Sequence, residues 1–376
     1  MHGNTAPLTF YAPFNSANGY GSICDHLAVY LDRRVPLKIL TWQRFHDRVK
    51  DNLHLNTPLL KEGHDKVKGS VLVAQGLPFV PEAPTQSAVA FTMHEATKLE
   101  EKWVKRLNTY KSVIVPNHEN KRAFEAAVEV PVHVVHVGHD PTVFRLRHHH
   151  NGGVFVFGAA GDLLHCRTRK GIDRVCDWFF SAFPTQTDVR LRLKLNDNDA
   201  NYITRPDPRI EIVKASLTDK ECADWLSSLD CFVDASTSEG WGMWPFNAMA
   251  CGTPCIGKYY GGQAEFYKFG NHIHIGHTIG AASEGYQKWG NWAYPVDEEG
   301  IEAMRWAYNN PNQCRDIGRE AAESVRPMTW EAMADGMLEV LSAYGLVNYQ
   351  EKPALWKPPA GIYASEPFRS LQSRVS

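Results

Sequence analysis

Ser236-Thr237-Ser238-Glu239-Gly240-Trp241-Gly242-Met243-Trp244-Pro245-Phe246-Asn247-Ala248-Met249-Ala250-Cys251-Gly252-Thr253-Pro254 is the stretch from which the fold of this chain can be read. It follows a short apolar run, Cys231 to Asp234, that reads as a strand. The strand empties into a glycine-containing loop, and a helix is expected from about Pro245, because a proline in the first helical turn gives up an N–H that would have no partner there. The open amides of such a loop and helix start receive an anion, helped by the helix dipole. Gly240 and Gly242 would let the backbone approach a ligand closely. Glu239 is a carboxylate beside that anion position, so its natural partners are hydroxyls, whose protons it accepts. Anion plus polyol describes a sugar nucleotide; a strand–turn–helix connection holding no ligand would show the same glycines.

Outward from this stretch, short β-rich runs alternate with helical stretches, the pattern of parallel sheets covered by helices. Downstream of a run of three histidines, His148-His149-His150-Asn151-Gly152-Gly153, one α/β unit begins at Val154-Phe155-Val156-Phe157-Gly158. It continues through helix Ile172 to Phe183, strands Val189 to Leu195 and Arg209 to Val213, helix Asp219 to Leu229, and strands Thr253 to Gly257 and His272 to Ile275. Upstream, Leu8-Thr9-Phe10-Tyr11 reads as a first strand running into a small-residue loop, Asn15 to Ser22, before a helix carrying Ile23, Leu27 and Leu31 on one face. Strands Leu37 to Leu40, Ser70 to Ala74, Val89 to Thr92, Ser112 to Val115 and Val132 to Val137 complete this half, with an amphipathic helix of Leu99, Trp103 and Leu107. The histidine run reads as a solvated domain junction, since consecutive side chains do not converge on one ion. The expected division is an N-terminal Rossmann-like domain over 1–150 and a C-terminal one over 151–328. A final helix, Thr329 to Tyr344, and a Pro-rich tail (329–376) are expected to pack back on the first domain. Two such domains place a ligand cleft between them, outside the carboxyl ends of the strands.

At 376 residues, with 43% hydrophobic and 22% charged residues, the chain suits two α/β domains. No segment approaches the roughly 20 apolar residues of a membrane span. The start, MHGNTAPLTFYAPF, shows no basic region followed by an apolar run, so no secretory signal is expected. Eight cysteines, none in a CxxC pair, read as reduced buried thiols, which points to a cytoplasmic setting. A formal net charge of −2 gives no global attraction for nucleic acid, although a local basic patch is compatible with it.

The stretch from Glu239 resembles the signature of glycosyltransferase family 4, E-G-F-G-L-P-x-L-E-A-M-A-C-G-x-P-V. It agrees at Glu239, Gly240, Gly242, Ala248, Met249, Ala250, Cys251, Gly252 and Pro254, with Trp241 as the aromatic. The resemblance implies a GT-B fold of two Rossmann-like doubly wound domains facing a central cleft. It implies a donor site in which Glu239 contacts the sugar and the amides of Gly240, Trp241, Gly242, Met243 and Trp244 hold sugar and phosphate. The family's second glutamate, which binds the ribose, is here Asn247, able to hydrogen-bond a diol without charge assistance. His165-Cys166-Arg167-Thr168-Arg169-Lys170-Gly171-Ile172-Asp173 is similar to the family's R-K-G-x-D, so Arg169 and Lys170 are implied diphosphate ligands; alone, the segment reads equally as a solvated basic turn. Asn18-Gly19-Tyr20-Gly21 lies where the family has its donor-closing loop, which brings in Gly21. Phe91-Thr92-Met93-His94-Glu95 follows a strand in similar order to a family segment, which makes His94 a candidate beside the chemistry. His136-Val137-Gly138-His139-Asp140 resembles the linker-side P-H-G-x-D, and Gly261-Gly262-Gln263-Ala264-Glu265 the family's G-G-x-x-E/D.

What the family implies is metal-independent, cofactor-free hexosyl or pentosyl transfer with retention, from a nucleotide-sugar donor, UDP-sugar favoured, to an acceptor hydroxyl. Glu239, His94 and Lys170 are the expected catalytic positions. A GT-B sugar-nucleotide epimerase, or a non-catalytic sugar-nucleotide-binding protein with Asn247 marking lost activity, are the alternatives. The acceptor stays open among glycan, lipid, protein, small molecule and modified DNA base. Lys98, Lys102, Lys105, Arg106, Lys111, Lys121 and Arg122 form either an anion-facing patch or a solvated face.

Overall fold

The computed structural model describes residues 7–14, 19–41, 59–60, 67–147, 153–196, 207–214 and 217–349. Residues 15–18 of the first loop, 148–152 of the expected junction, and the Pro-rich tail lie outside them. The first sheet contains β1 (Leu8–Ala12), β2 (Leu37–Thr41), β3 (Leu59–Leu60), β4 (Val71–Ala74), β5 (Ala88–Phe91), β6 (Val113–Val115) and β7 (Val132–Val134), in the order β3-β2-β1-β4-β5-β6-β7. All its pairings are parallel. Its helices are α1 (Gly19–Asp32), α2 (Glu101–Leu107) and α3 (His118–Glu125).

The second sheet contains β8 (Phe155–Ala160), β9 (Val189–Leu195), β10 (Ile210–Lys214), β11 (Cys231–Val233), β12 (Cys255–Gly257) and β13 (Ile273–His274), in the order β10-β9-β8-β11-β12-β13. It too is parallel throughout. Helices α4 (Leu163–Lys170), α5 (Ile172–Ala182), α6 (Asp219–Ser227) and α7 (Met243–Ala250) connect its strands. A hairpin of β14 (His277–Ala281) and β15 (Asn291–Pro295) follows, then α8 (Asp297–Asn309), α9 (Pro311–Val325) and α10 (Trp330–Ala343).

Central parallel strands are covered on both faces, which is why LTFYA, VLVA and AVAF are buried along their whole length. In α1, Ile23, Leu27 and Leu31 are buried as their spacing predicts. The helix begins earlier than expected, however: Gly21 belongs to its first turn rather than to a loop. The Tyr20 hydroxyl, accepting from the Met93 N–H at 2.7 Å, pins that turn to the chain leaving β5. Helix α6 starts on a Thr218/Glu221 capping box. The supposed basic turn is helix α4, kinked at Cys166. Helices α3, α8 and α9 and the hairpin are additions to the sequence reading.

After α9 the chain returns to the first sheet. His139 N–H donates to Met328 O at 3.0 Å, and Trp330 N–H donates to His139 O at 3.2 Å. A side chain at Gly138 would collide with the Thr329 backbone at 2.2 Å, so the strap runs directly over it. Thr329 caps α10, and Arg34, two residues past the end of α1, reaches Asp335 of that helix at 2.6 Å and Glu331 at 2.7 Å.

Candidate active site

Each sheet reverses strand order beside its first strand, and a doubly wound sheet opens a crevice there, past the carboxyl ends of the strands. In the second sheet the reversal lies between β8 and β11. The chain leaving β8 forms α4, whose last residues are Arg169 and Lys170; the chain leaving β11 forms the 234–242 loop. Topology thus brings residues some 70 positions apart into contact: Lys170 Nζ is 2.6 Å from Glu239 Oε1. Arg169 donates to Glu239 Oε2 at 3.2 Å and to Ser238 O at 3.1 Å. The backbones are tied as well, with Thr237 N–H on Arg169 O at 2.7 Å.

This cluster is nearly closed to water, Arg169 at 7% and Glu239 at 9% exposure. Burial alone would push the Glu239 carboxyl up; Lys170 and Arg169 outweigh it and hold it below the ordinary carboxylate value. Burial opposes the charge of Arg169 in turn, and Glu239 followed by Glu95 raises it above its usual value. A third cation, Lys258, follows β12 and is wholly buried, and among the described residues its Nζ has no hydrogen-bond partner. Burial lowers its pKa to about 8 against the opposing pull of Asp234 and Glu239. Asp234 is itself held by Ser236 at 2.7 Å and by Gln263 at 3.0 Å.

Glu239 stands between two hollows. The larger, about 260 Å³, joins the halves, lined by His94, Asn120 and Arg122 on one side and Ser238, Glu239 and Tyr260 on the other. The narrower, about 20 Å³, is lined by Ala160, Lys170, Asp234, Met243 and Trp244 at the start of α7.

The remaining candidates divide. Gly242, at φ +99°, is the N-cap of α7, a left-handed position that suits glycine, and the helix starts two residues before Pro245. Gly240 is small for a different reason than expected: a Cβ there would meet Met93 Sδ of the other half at 2.7 Å, and the Gly240 carbonyl accepts from Asn117 Nδ2. Its space is taken by protein and not by a ligand. Trp241 is likewise a core residue, 2% exposed and packed on Phe246 and Phe266, so its ring offers no face to a ligand. Met243 and Trp244 line the narrow hollow. Asn247, in the second turn of α7, keeps its Oδ1 enclosed with no donor among the described residues. Gly21 is buried in the first turn of α1, the helix that follows β1 at the N-terminal half's own strand reversal.

His94 lines the larger hollow, with its Nε2 on Lys98 O at 3.0 Å. Burial lowers its pKa below the ordinary histidine value, so at neutral pH the ring is uncharged, Nε2–H donates to the carbonyl and Nδ1 is the acceptor.

Sequence reasoning passed over the hairpin, which roofs this region. Tyr286 donates to Glu95 at 3.1 Å, Trp289 packs on Trp103 with ring centroids 4.5 Å apart, and Lys98 N–H meets Trp289 O at 2.8 Å. Glu284, at φ +53°, turns its carboxylate onto the Thr168 and Arg169 amides, the latter at 3.0 Å. A cluster of Trp, Tyr and Gly after the last candidate strand, His272 to Ile275, was the available signal. Lys258 carried one too: a charged residue directly after an all-apolar strand.

A sequence model described as "Glycosyl transferases group 1" matches residues 211–324. No curated protein matches the chain. Solved structures that resemble it include a glycosyltransferase from Rickettsia africae, TM-score 0.69 at 12% identity over 91% of this chain and 99% of that one. Sucrose-phosphate synthase from Thermosynechococcus elongatus gives 0.67 at 14%, over 90% and 98%. Anabaena HepE in complex with UDP and glucose gives 0.66 at 13%, over 90% and 99%. The architecture is therefore GT-B: two parallel-sheet Rossmann-like domains.

Proposed function

We propose that this protein is a glycosyltransferase that takes a sugar from a nucleotide-diphosphate sugar, a UDP-sugar by preference, and passes it to an acceptor hydroxyl with retention. The observation that carries the reading is the buried Glu239–Lys170–Arg169 cluster at the strand reversal of the second sheet, opening on a hollow shared with the first. The group 1 match over 211–324 supports it, and so does a fold shared with a protein solved with UDP and glucose.

With no donor bound, Glu239 satisfies the two cations. A diphosphate entering from the α7 side takes over Lys170 and Arg169, aided by the open amides at the start of α7, and releases the carboxylate to the sugar hydroxyls. As the glycosidic bond breaks, negative charge grows on the leaving phosphate, where cations already in place stabilise it without reorganisation. Lys258 adds positive charge from below. The acceptor hydroxyl attacks from the larger hollow on the face the diphosphate leaves, and the diphosphate oxygen takes the proton. Neutral His94, an acceptor at Nδ1, orients an incoming hydroxyl. The closed seam between the halves keeps water from the reacting carbon. Asn247 Oδ1, enclosed without a donor, suits a ribose hydroxyl. No metal or other cofactor takes part in this scheme.

The test is incubation with a panel of nucleotide sugars and mixed glycan, lipid and small-molecule acceptors, reading nucleotide release and the anomeric configuration of the product. Transfer with the donor's configuration kept is the expected result. Epimerised nucleotide sugar without any acceptor requirement would establish the epimerase instead.

A further inference from the structure

Three side chains that the donor site does not use meet on the seam between the halves. His118 opens α3 and His136 follows β7, both from the N-terminal half; Glu265 ends a short 3-10 turn, Gly261–Glu265, of the C-terminal half. Glu265 Oε1 lies 3.0 Å from His118 Nδ1, and Oε2 lies 2.9 Å from His136 Nε2. One ligating atom from each residue falls within 4.8 Å of the other two.

We propose that His118, His136 and Glu265 form a transition-metal site, with Zn²⁺ as its natural occupant, that clamps the two halves together. Two imidazoles with one carboxylate are the donor set of borderline divalent ions; Ca²⁺ and Mg²⁺ take oxygen ligands instead. Around a tetrahedral ion with bonds near 2.0–2.2 Å, neighbouring ligand atoms lie roughly 3.4 Å apart. The Glu265 oxygens stand 3.0 Å from His118 Nδ1 and 2.9 Å from His136 Nε2, close to that spacing, and the two ring nitrogens lie within 4.8 Å of each other. The ring of His136 is backed by Trp241 at 5.8 Å, which fixes its orientation. Its Nε2 is enclosed and faces Glu265 Oε2 at 2.9 Å. An ion would sit among these three ligand atoms, in place of the direct His136–Glu265 and His118–Glu265 contacts. The Glu265 carboxylate is 7% exposed and His118 54%, so the site has a buried floor and an entry on the His118 side. That side leaves the fourth coordination position to water.

The clamp reaches the proposed donor loop through one short path. The turn that ends in Glu265 also donates Gly262 N–H to Glu239 O at 2.9 Å. Metal binding itself rests on the seam geometry alone and is measured without any nucleotide.

The experiment uses the full chain, free of any affinity tag, stripped with a chelator and titrated with ZnCl₂ by calorimetry, with Co²⁺ as an optical probe of coordination. One ion per chain at micromolar affinity or tighter is expected, with a rise in melting temperature. His136→Gln and Glu265→Gln should each lose at least a hundredfold in affinity. His118→Gln, at the exposed ligand, should lose at least tenfold with folding undisturbed, which keeps the test valid should a buried variant misfold. The histidine run at 148–150 is a rival binder, so His148→Asn/His149→Asn/His150→Asn should bind as the parent does. Absence of binding at millimolar Zn²⁺, undiminished binding by His136→Gln and His118→Gln, or loss only in the triple variant would each overturn the site.

Discussion

Two basic segments of this chain read alike as sequence and are opposite as structure. Lys98 to Arg122 carries seven cations, and each one paired there finds a carboxylate beside it: Lys102 with Glu100, Lys105 with Glu101, Lys121 with Glu125 and Arg122 with Glu119, all at least partly exposed. Arg122 alone of these four also lines the larger hollow. Arg167 to Lys170 carries three. Arg167 is absorbed locally by Asp173, but Arg169 and Lys170 are turned inward onto Glu239 from another strand-to-helix connection. The difference lies in placement. Cations on a solvated helix are screened and worth little, whereas cations buried at a strand reversal are held at high free energy unless an anion meets them. The second kind makes a site.

The largest effect should come from the shared carboxylate. Glu239→Gln keeps the shape and removes the charge; turnover should fall by about 10²–10³-fold, the loss typical when one aligned electrostatic partner is removed, while far-UV circular dichroism stays unchanged. Turnover near the parent's in a folded protein would dissolve the contrast. Next is Lys170→Ala, which takes away one charged contact worth about 1.5–3 kcal/mol and should weaken nucleotide affinity, by calorimetry, about ten- to a hundredfold.

Lys258→Met sharpens the comparison from the stability side. The native pKa of about 8 lies below the ordinary lysine value, so between about pH 8 and 10.5 the unfolded chain holds the extra proton. Stability from this group therefore rises with pH across that window, and its penalty is full at neutral pH. The variant should be more stable at pH 7 by up to about 3 kcal/mol, lose that rise in denaturant titrations run from pH 8 to 10, and bind nucleotide less well. A variant less stable at pH 7 would mean that Lys258 has a partner that offsets its burial. The smallest effect is expected on the solvated helix: Lys102→Ala with Lys105→Ala should change stability by less than about 1 kcal/mol and leave nucleotide affinity as it was. A loss matching that of Lys170→Ala would place the helix in the site and erase the distinction.

The doubly wound sheets were legible because buried parallel strands such as LTFYA and AVAF are uninterrupted apolar runs, and periodic helices such as α1 and α10 carry their caps or faces openly. The 234–254 stretch was legible because glycine, proline and carboxylate spacing there is local. Three features were not. Gly240 looked ligand-facing, yet it makes room for Met93, a residue of the other half; Trp241, expected at the donor loop, has its ring in the core against Phe246 and Phe266. The pairing of Glu239 with Lys170 depends on which strands are neighbours, and strand order is a long-range property. The hairpin roof, with Glu284 against the Arg169 amide, lies where the chain has neither a helical nor an alternating apolar pattern to read.

The most direct measurement of the central claim is thermal stability against a panel of nucleotides and nucleotide sugars, for the parent chain and Lys170→Ala side by side. A ligand at about a hundred times its dissociation constant adds roughly 2.7 kcal/mol. The account predicts a clear upward shift with a uridine diphosphate or its sugar conjugate, reduced or absent in Lys170→Ala. No shift from any member at millimolar concentration, or an equal shift in both proteins, would contradict a nucleotide-sugar site built on Glu239, Lys170 and Arg169.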